Sequence, residues 1–178
     1  MTTGLVIGRF QPFHKGHIHA IEYVRKNVDK IIIGVGSALD SHTLNNPFTA
    51  AERIEMILIA IKEMGWTLSD FLIIPIPDAP YHKEWVSIVE SIVPHFDVVY
   101  SNDPLTKILF MEEGYTVKDI PLLEREHYSG EEFRKRVIEG ENWREIVTEK
   151  VAKYLEEHGL IKRLIELTKT DKPFQKEI

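Results

Sequence analysis

The 178-residue sequence contains no cysteine, which excludes disulfide cross-links, thiol nucleophiles and cysteine-ligated zinc. It has no surplus of basic residues either. The 22 Lys and Arg stand against 28 Asp and Glu, a net charge of −6, so there is no global basic footprint and no nucleic-acid partner is expected. No apolar run approaches membrane-spanning length. Met1-Thr2-Thr3-Gly4 carries no charged region followed by an apolar stretch, so no membrane association and a cytoplasmic location are expected. Internal repeats and low-complexity linkers are missing too. What is there is an ordinary globular composition, 43% hydrophobic and 28% charged, in a length that suits one domain.

Short apolar runs alternate with helical patterns along most of the chain. The runs are Leu5 to Gly8, Lys30 to Val35, Phe71 to Ile76, Asp97 to Tyr100 and Tyr115 to Val117. Between them, amphipathic stretches predict helices near 16–27, 49–64, 84–93 and 104–113. Continuous β-branched runs bounded by turns read as strands of a parallel sheet covered on both faces. Strand and helix in alternation predict an α/β fold, a Rossmann-like doubly wound parallel sheet. Beyond about Ser129 the pattern turns all-helical, giving a C-terminal helical extension that ends in a charged tail from Lys169.

Such folds bind ligands at the carboxyl ends of their strands, where strand order reverses. The loop after the first strand reads Gly8-Arg9-Phe10-Gln11-Pro12-Phe13-His14-Lys15-Gly16-His17. Gly8 permits close approach of backbone to a ligand, and Pro12 stiffens the turn. His14 and His17 lie three apart at a helix entry and can face one point, with Gly16 leaving room between them. The helix start offers unpaired N–H groups and a positive dipole end, a seat for an anion. Two imidazoles, Arg9 and a helix N-terminus together describe a polyphosphate site. A His pair alone reads more often as surface residues or local hydrogen-bonders, and His14, His17, His19 or His42 could serve a zinc ion. The length of the string, in this position after a strand, favours phosphate.

Other motifs are less specific. Ser129 with Glu132 three later predicts a capping box opening a helix. Arg134, one turn in, can reach the mouth of that helix. Gly34-Val35-Gly36-Ser37 begins like a dinucleotide fingerprint, but Leu39 stands where the third glycine belongs. A helix-start loop used for phosphate or ribose suits it better. Trp85 among Val86, Ile88 and Val89 reads, on its own, as core.

The string His14-Lys15-Gly16-His17 resembles the signature of the H-x-G-H nucleotidyltransferase superfamily. Its longer form is similar to the archaeal-type nicotinamide-mononucleotide adenylyltransferases. Further matches are Gly36-Ser37-Ala38, Ser41-His42-Thr43, Asn46 to Ala50, Glu52-Arg53, Trp85-Val86, and Tyr128-Ser129-Gly130 with Arg134. The resemblance covers about residues 4 to 168. It implies one nucleotidyltransferase domain over 1–168, with 129–168 its helical part and 169–178 the tail. It implies transfer of AMP from ATP to nicotinamide mononucleotide, with NAD and pyrophosphate as products. His17, His14 and Arg134 would be the catalytic residues. Gly8, Arg9, Phe10, His14, His17, Ser129 and Arg134 would bind ATP and its phosphates, and Ser37, His82 and Trp85 the mononucleotide, Trp85 by stacking.

No protein nucleophile is implied, because the mononucleotide's own phosphate attacks the α-phosphate of ATP. Mg²⁺, or another divalent metal, would bridge the ATP phosphates without direct protein ligands. By the same resemblance, homo-oligomers are expected. The chain departs from the family pattern at His82 (often Asn), Glu131 (often Thr), Asn45 (Arg in some members) and Ser101-Asn102-Asp103-Pro104 (usually S-G-N-P). Transfer to another mononucleotide, or a nucleotide-sensing module without turnover, stays open as an alternative.

Overall fold

The computed structural model describes residues 1–121 and 127–170. Five parallel strands form one sheet: β1 (Thr3–Gly8), β2 (Lys30–Val35), β3 (Phe71–Pro75), β4 (Val98–Tyr100) and β5 (Thr116–Lys118), in the order β3-β2-β1-β4-β5. The helices of the α/β part are α1 (Lys15–Arg25), α2 (Ala50–Glu63), α3 (Trp85–Ile92) and α4 (Pro104–Glu112). Three more follow, α5 (Gly130–Glu139), α6 (Glu149–Glu157) and α7 (Leu160–Leu167). The last eight residues of the expected tail lie outside the described residues.

The period of two along each strand sends alternate residues into two cores. Val6, Ile31, Ile33, Val98 and Tyr100 face Ile21 and Val24 of α1 and Met56, Ile57, Ala60 and Ile61 of α2. Phe133, Val137, Val151, Leu155 and Leu164 of α5–α7 join that same cluster, so the C-terminal helices complete a face of the sheet. Leu5, Ile32 and Val99 face the other way, against Val86 and Val89 of α3 and Leu109 and Phe110 of α4. With β1 central, the chain winds outward through β2 and β3, then crosses back to β4 and β5. The switch point therefore lies between the carboxyl ends of β1 and β4, the place where doubly wound sheets open a crevice.

The segment after β2 differs from expectation. No helix starts there: the chain runs from Gly36 to Thr49 before α2 opens. Thr49 and Glu52 close a reciprocal capping box on α2, which occupies the Thr49 and Glu52 N–H groups. Gly34 belongs to β2 itself, and its role is packing. A Cβ at position 34 would stand 2.6 Å from Ile76 Cδ1 and 3.0 Å from Ile7 Cγ1. Among the described residues no helix is long and apolar enough to cross a membrane.

Because Ile76 is fully buried, it has nowhere to retreat. Gly34→Val is therefore expected to destabilise the fold by about 1–3 kcal/mol through overpacking. Urea unfolding checks this, and an unchanged midpoint at unchanged slope would contradict the packing argument.

Candidate active site

A cleft of about 970 Å³ opens at the switch point, lined by Arg9, Phe10, His14 and His17 from the β1 side. Asn102, Ile120 and Pro121 line it from the ends of β4 and β5, and Tyr128, Ser129, Glu131, Arg134 and Lys135 from the start of α5. Its size is at the upper end for a small-molecule site.

The start of α1 is closed by the two histidines themselves. His14 is the N-cap, and its ring Nδ1 accepts the Gly16 N–H at 3.0 Å. In return His17 Nδ1 accepts the His14 N–H at 3.1 Å. The expectation of bare backbone donors at this helix start is thus corrected, since the imidazoles cap it. The exchange has a chemical consequence. A ring nitrogen that accepts a backbone N–H carries no proton, so in each neutral ring the proton sits on Nε2. Sequence leaves the tautomer open, whereas this hydrogen bonding selects it.

The rings are held as rigidly as they are oriented. His14 and His17 stack with centroids 3.7 Å apart, and Phe13 stacks on His17 at 5.3 Å. Phe10 meets His17 edge-on at 4.7 Å. Burial, with Arg134 nearby, lowers the His14 pKa to about 3. Burial and the neighbouring His14 hold His17 well below its ordinary value. Both rings are therefore neutral Nε2–H donors at physiological pH. Gly16 is required for this approach: a Cβ there would lie 2.9 Å from His14 Cε1 and 3.1 Å from the Tyr128 carbonyl oxygen.

Gly8 has a different role from the one expected. It does not line the cleft, and a Cβ on it would come within 2.8 Å of the Phe10 ring. It makes room for Phe10, which is buried at a positive φ of 52°. A bulky residue there needs outside support, and the neighbours supply it. Gln11, buried beside it, donates from Nε2 to the Phe48 carbonyl and accepts the Phe48 N–H on Oε1. Its own carbonyl accepts from Arg134 Nη1 at 3.0 Å. Burial and the charge of Arg9 lower the Arg134 pKa, against an opposing pull from Glu131.

Ser129 does cap α5, accepting the Glu132 N–H. The reciprocal half of the expected box is missing, because Glu132 is held by Arg136 at 2.9 Å. Among the described residues the N–H groups of Gly130 and Glu131 have no partner. Glu131 is exposed on the cleft rim and forms no ion pair with Arg134 or Lys135. Arg9 is exposed and touches Asn46 Oδ1 at 3.3 Å.

The residues expected to hold the mononucleotide lie outside the cleft lining. Ser37, at φ 46°, donates to Asp78 Oδ1 beyond the ends of β2 and β3. His82 is exposed in the turn before α3, and Trp85 packs edge-on against Phe110 at 5.6 Å. Two departures from the family pattern have structural reasons. Asn102 pairs with both backbone groups of Ile120, and Asp103 caps α4 ahead of Pro104. Nothing in the structure explains Asn45.

Sequence reading gave no role to Arg53, which is completely buried. It donates to the carbonyls of Arg9, Gly36 and Ser37 at 2.8, 2.7 and 3.1 Å. Burial lowers its pKa to about 10, with Asp40 opposing through space. A signal was available: Arg53 stands on the same helical stripe as Met56, Ile57, Ala60 and Ile61, where a cation is out of place. Among the described residues no three metal-ligating side chains come together, which leaves the zinc alternative without a site.

The lowered His14 pKa has a sign that can be tested. The unfolded chain takes up a proton below pH 6.5, which the folded imidazole refuses until about pH 3. The contribution is complete above the higher value and is lost as pH falls. Between about pH 7 and about pH 5.5, His14 alone should cost the fold about 1 kcal/mol. His14→Asn keeps an N-cap acceptor and should recover that amount in urea unfolding at the two pH values; an unaltered loss would mean that His14 is not held neutral.

The family described as cytidylyltransferase-like matches residues 5–136. A nicotinamide-nucleotide adenylyltransferase of Methanothrix thermoacetophila is 48% identical over 96% of this chain and 99% of its own length. The enzyme of the same name from Pyrococcus furiosus is 44% identical, over 100% of this chain and 95% of its own. The fold also matches a solved bifunctional NMN adenylyltransferase/ADP ribose pyrophosphatase of Francisella tularensis, complexed with AMP and a Mn ion. That match has a TM-score of 0.73 and 22% identity, covering 93% of this chain and about half (52%) of the other. The capped histidine pair at the switch point and this breadth of likeness lead to one assignment: the chain belongs to the cytidylyltransferase-like family, and within it to the nicotinamide-nucleotide adenylyltransferases.

Proposed function

We propose that the cleft binds ATP and transfers its AMP to nicotinamide mononucleotide, giving NAD and pyrophosphate. The observation that carries this reading is the pair of neutral, oriented Nε2–H donors beside Arg134 and Arg9 in one cleft. Such a site suits polyphosphate and offers no nucleophile of its own. The attacking group is then the mononucleotide's phosphate oxygen. It forms a bond to the α-phosphorus as the bond to the β-phosphate bridge oxygen breaks, and the pyrophosphate leaves with that electron pair. The protein aligns two anions and stabilises charge on the equatorial oxygens.

His17 donates to an α-phosphate oxygen, His14 helps hold the chain of phosphates, and Arg9 and Arg134 balance its charge. Being neutral, the imidazoles donate without inviting proton transfer to the phosphate. Gly130 and Glu131 add backbone N–H groups at the start of α5. A divalent metal, Mg²⁺ as expected, would supply further neutralisation of the polyphosphate charge when bound. The side chains that meet the phosphates on this reading, His14, His17, Arg9 and Arg134, are N–H donors and not metal ligands. Of the two carboxylates in the lining, Glu132 is held by Arg136 while Glu131 stands on the rim, so no direct protein ligand to the metal is assigned. Ser37, His82 and Trp85 face the mononucleotide on this reading, across the Arg9 loop from ATP. Leu105, Ile108 and Met111 form an exposed apolar row on α4, which supports assembly into a homo-oligomer.

Purified protein with ATP, Mg²⁺ and nicotinamide mononucleotide is expected to form NAD and pyrophosphate. His17→Ala should lower kcat by about 10²–10³, as loss of a donor aimed at developing charge does. ATP affinity should change much less, because that contact strengthens in the transition state. Absence of NAD above an enzyme-free control would refute the reaction, and near-normal kcat would return His17 to a capping role.

Glu131 gives a separate test. A carboxylate in the first turn suits the helix dipole by a few tenths of a kcal/mol, but it repels a polyphosphate beside it. With its side chain at the exposed rim, only its N–H would serve the phosphate. Glu131→Thr is then expected to tighten ATP modestly with unchanged Mg²⁺ dependence. A variant demanding far more Mg²⁺ would place the carboxylate in the metal site.

A further inference from the structure

Arg53 is a buried guanidinium whose hydrogen bonds all go to backbone carbonyls. Two of its partners matter together. Arg9 belongs to the loop after β1, which lines the ATP cleft, while Gly36 and Ser37 belong to the loop after β2. Both loops are irregular, and both hold a residue at positive φ, Phe10 and Ser37. Between the two loops the backbone itself supplies a single bond, Gly36 N–H to the Gly8 carbonyl at 2.8 Å. Further along, Gln11 pairs with Phe48 and Arg9 touches Asn46. At the strand ends, where Ser37 lies, the planar fork of Arg53 adds the other ties, to the Arg9, Gly36 and Ser37 carbonyls. A lysine cannot reproduce them from one ammonium.

We propose that Arg53 is a positioning residue for the transfer reaction. It fixes the distance between the loop that holds ATP and the loop that holds the mononucleotide. This rests on the assignment of Ser37 to the mononucleotide side made above. In-line attack needs the two phosphates aligned within a fraction of an ångström, whereas each substrate can bind its own loop with the other displaced. Arg53 therefore acts on kcat and little on either binding step.

The mount of Arg53 is itself braced. Its neighbour Glu52 is gripped by Arg163 of α7 through both carboxylate oxygens, at 2.6 and 2.9 Å, and Arg163 also holds the Pro47 carbonyl at 3.1 Å. Burial would raise the Glu52 carboxyl, but Arg163 and Thr49 bring it below its ordinary value. Arg163 is partly exposed, so it offers a gentler perturbation of the same helix start.

The test uses the full-length protein with ATP, Mg²⁺ and nicotinamide mononucleotide. For Arg53→Lys, kcat should fall about 10²-fold, the usual consequence of a misplacement near 1 Å. The dissociation constants of ATP and of the mononucleotide, each measured alone by calorimetry, should stay within about threefold. A folded variant with wild-type kcat, or with binding lost in step with kcat, overturns the proposal. If Arg53→Lys does not fold, Arg163→Gln decides. It should lower kcat roughly three- to tenfold at unchanged affinities, and wild-type kcat there counts against the proposal. Wild-type turnover judges the reaction itself, and the ratio of variant to wild type judges Arg53.

Discussion

The site depends on one exchange of hydrogen bonds, in which two imidazoles cap the helix that they open. A helix start has donors to satisfy, and a side-chain acceptor usually meets one of them. Here His14 and His17 each place Nδ1 on a backbone N–H. That choice sets the tautomer, the ring plane and the direction of the remaining proton in one stroke. Burial then keeps both rings neutral. The helix cap and the two free Nε2–H donors are opposite edges of the same two rings, which leaves little room for substitution at either position.

Everything around this pair keeps it from moving. Phe10 and Phe13 pack on the His17 ring, and Phe10 adopts a strained backbone that Gly8 makes possible. Gln11 fastens the loop to Phe48 with two hydrogen bonds that imitate strand pairing, and its carbonyl aims Arg134. Arg53 ties the same loop to the end of β2, and Arg163 steadies the helix that carries Arg53. The polar contacts are buried or half-buried and satisfied, which is what makes such a network rigid. Helices remote in sequence thereby support a loop that precedes them by more than a hundred residues.

The likeness to relatives covers both sides of this arrangement. Those relatives are named for adenylyl transfer to nicotinamide nucleotide. The departures from the family pattern fall where backbone pairing can absorb them, as with Asn102 and Asp103, or on the exposed rim, as with Glu131.

Most of the architecture was legible in the sequence. The strand runs and the helix between each pair specify a parallel sheet, because apolar period and turn chemistry act locally. The histidine loop after β1 was legible for the same reason, being contiguous. Arg53 was legible in principle, as a cation on an apolar stripe, but its partners come from two distant loops. Other features depended on which of two local partners wins. Ser129 and Glu132 carry the spacing of a capping box, yet Glu132 turns to Arg136, since a charged partner four residues on is the stronger attraction. His14 and His17 share that spacing but not the residue types of a capping box, and they form the reciprocal cap. The sequence by itself determined the parallel sheet and the histidine pair after its first strand, while the strand order that puts the switch point there is read from the fold. Only the tertiary structure decided which ring nitrogen of each histidine keeps its proton, because rival local partners compete for the N–H groups at a helix start. It alone also decided which buried arginine ties the two loops, because the contacts of that arginine join segments that the chain order keeps apart.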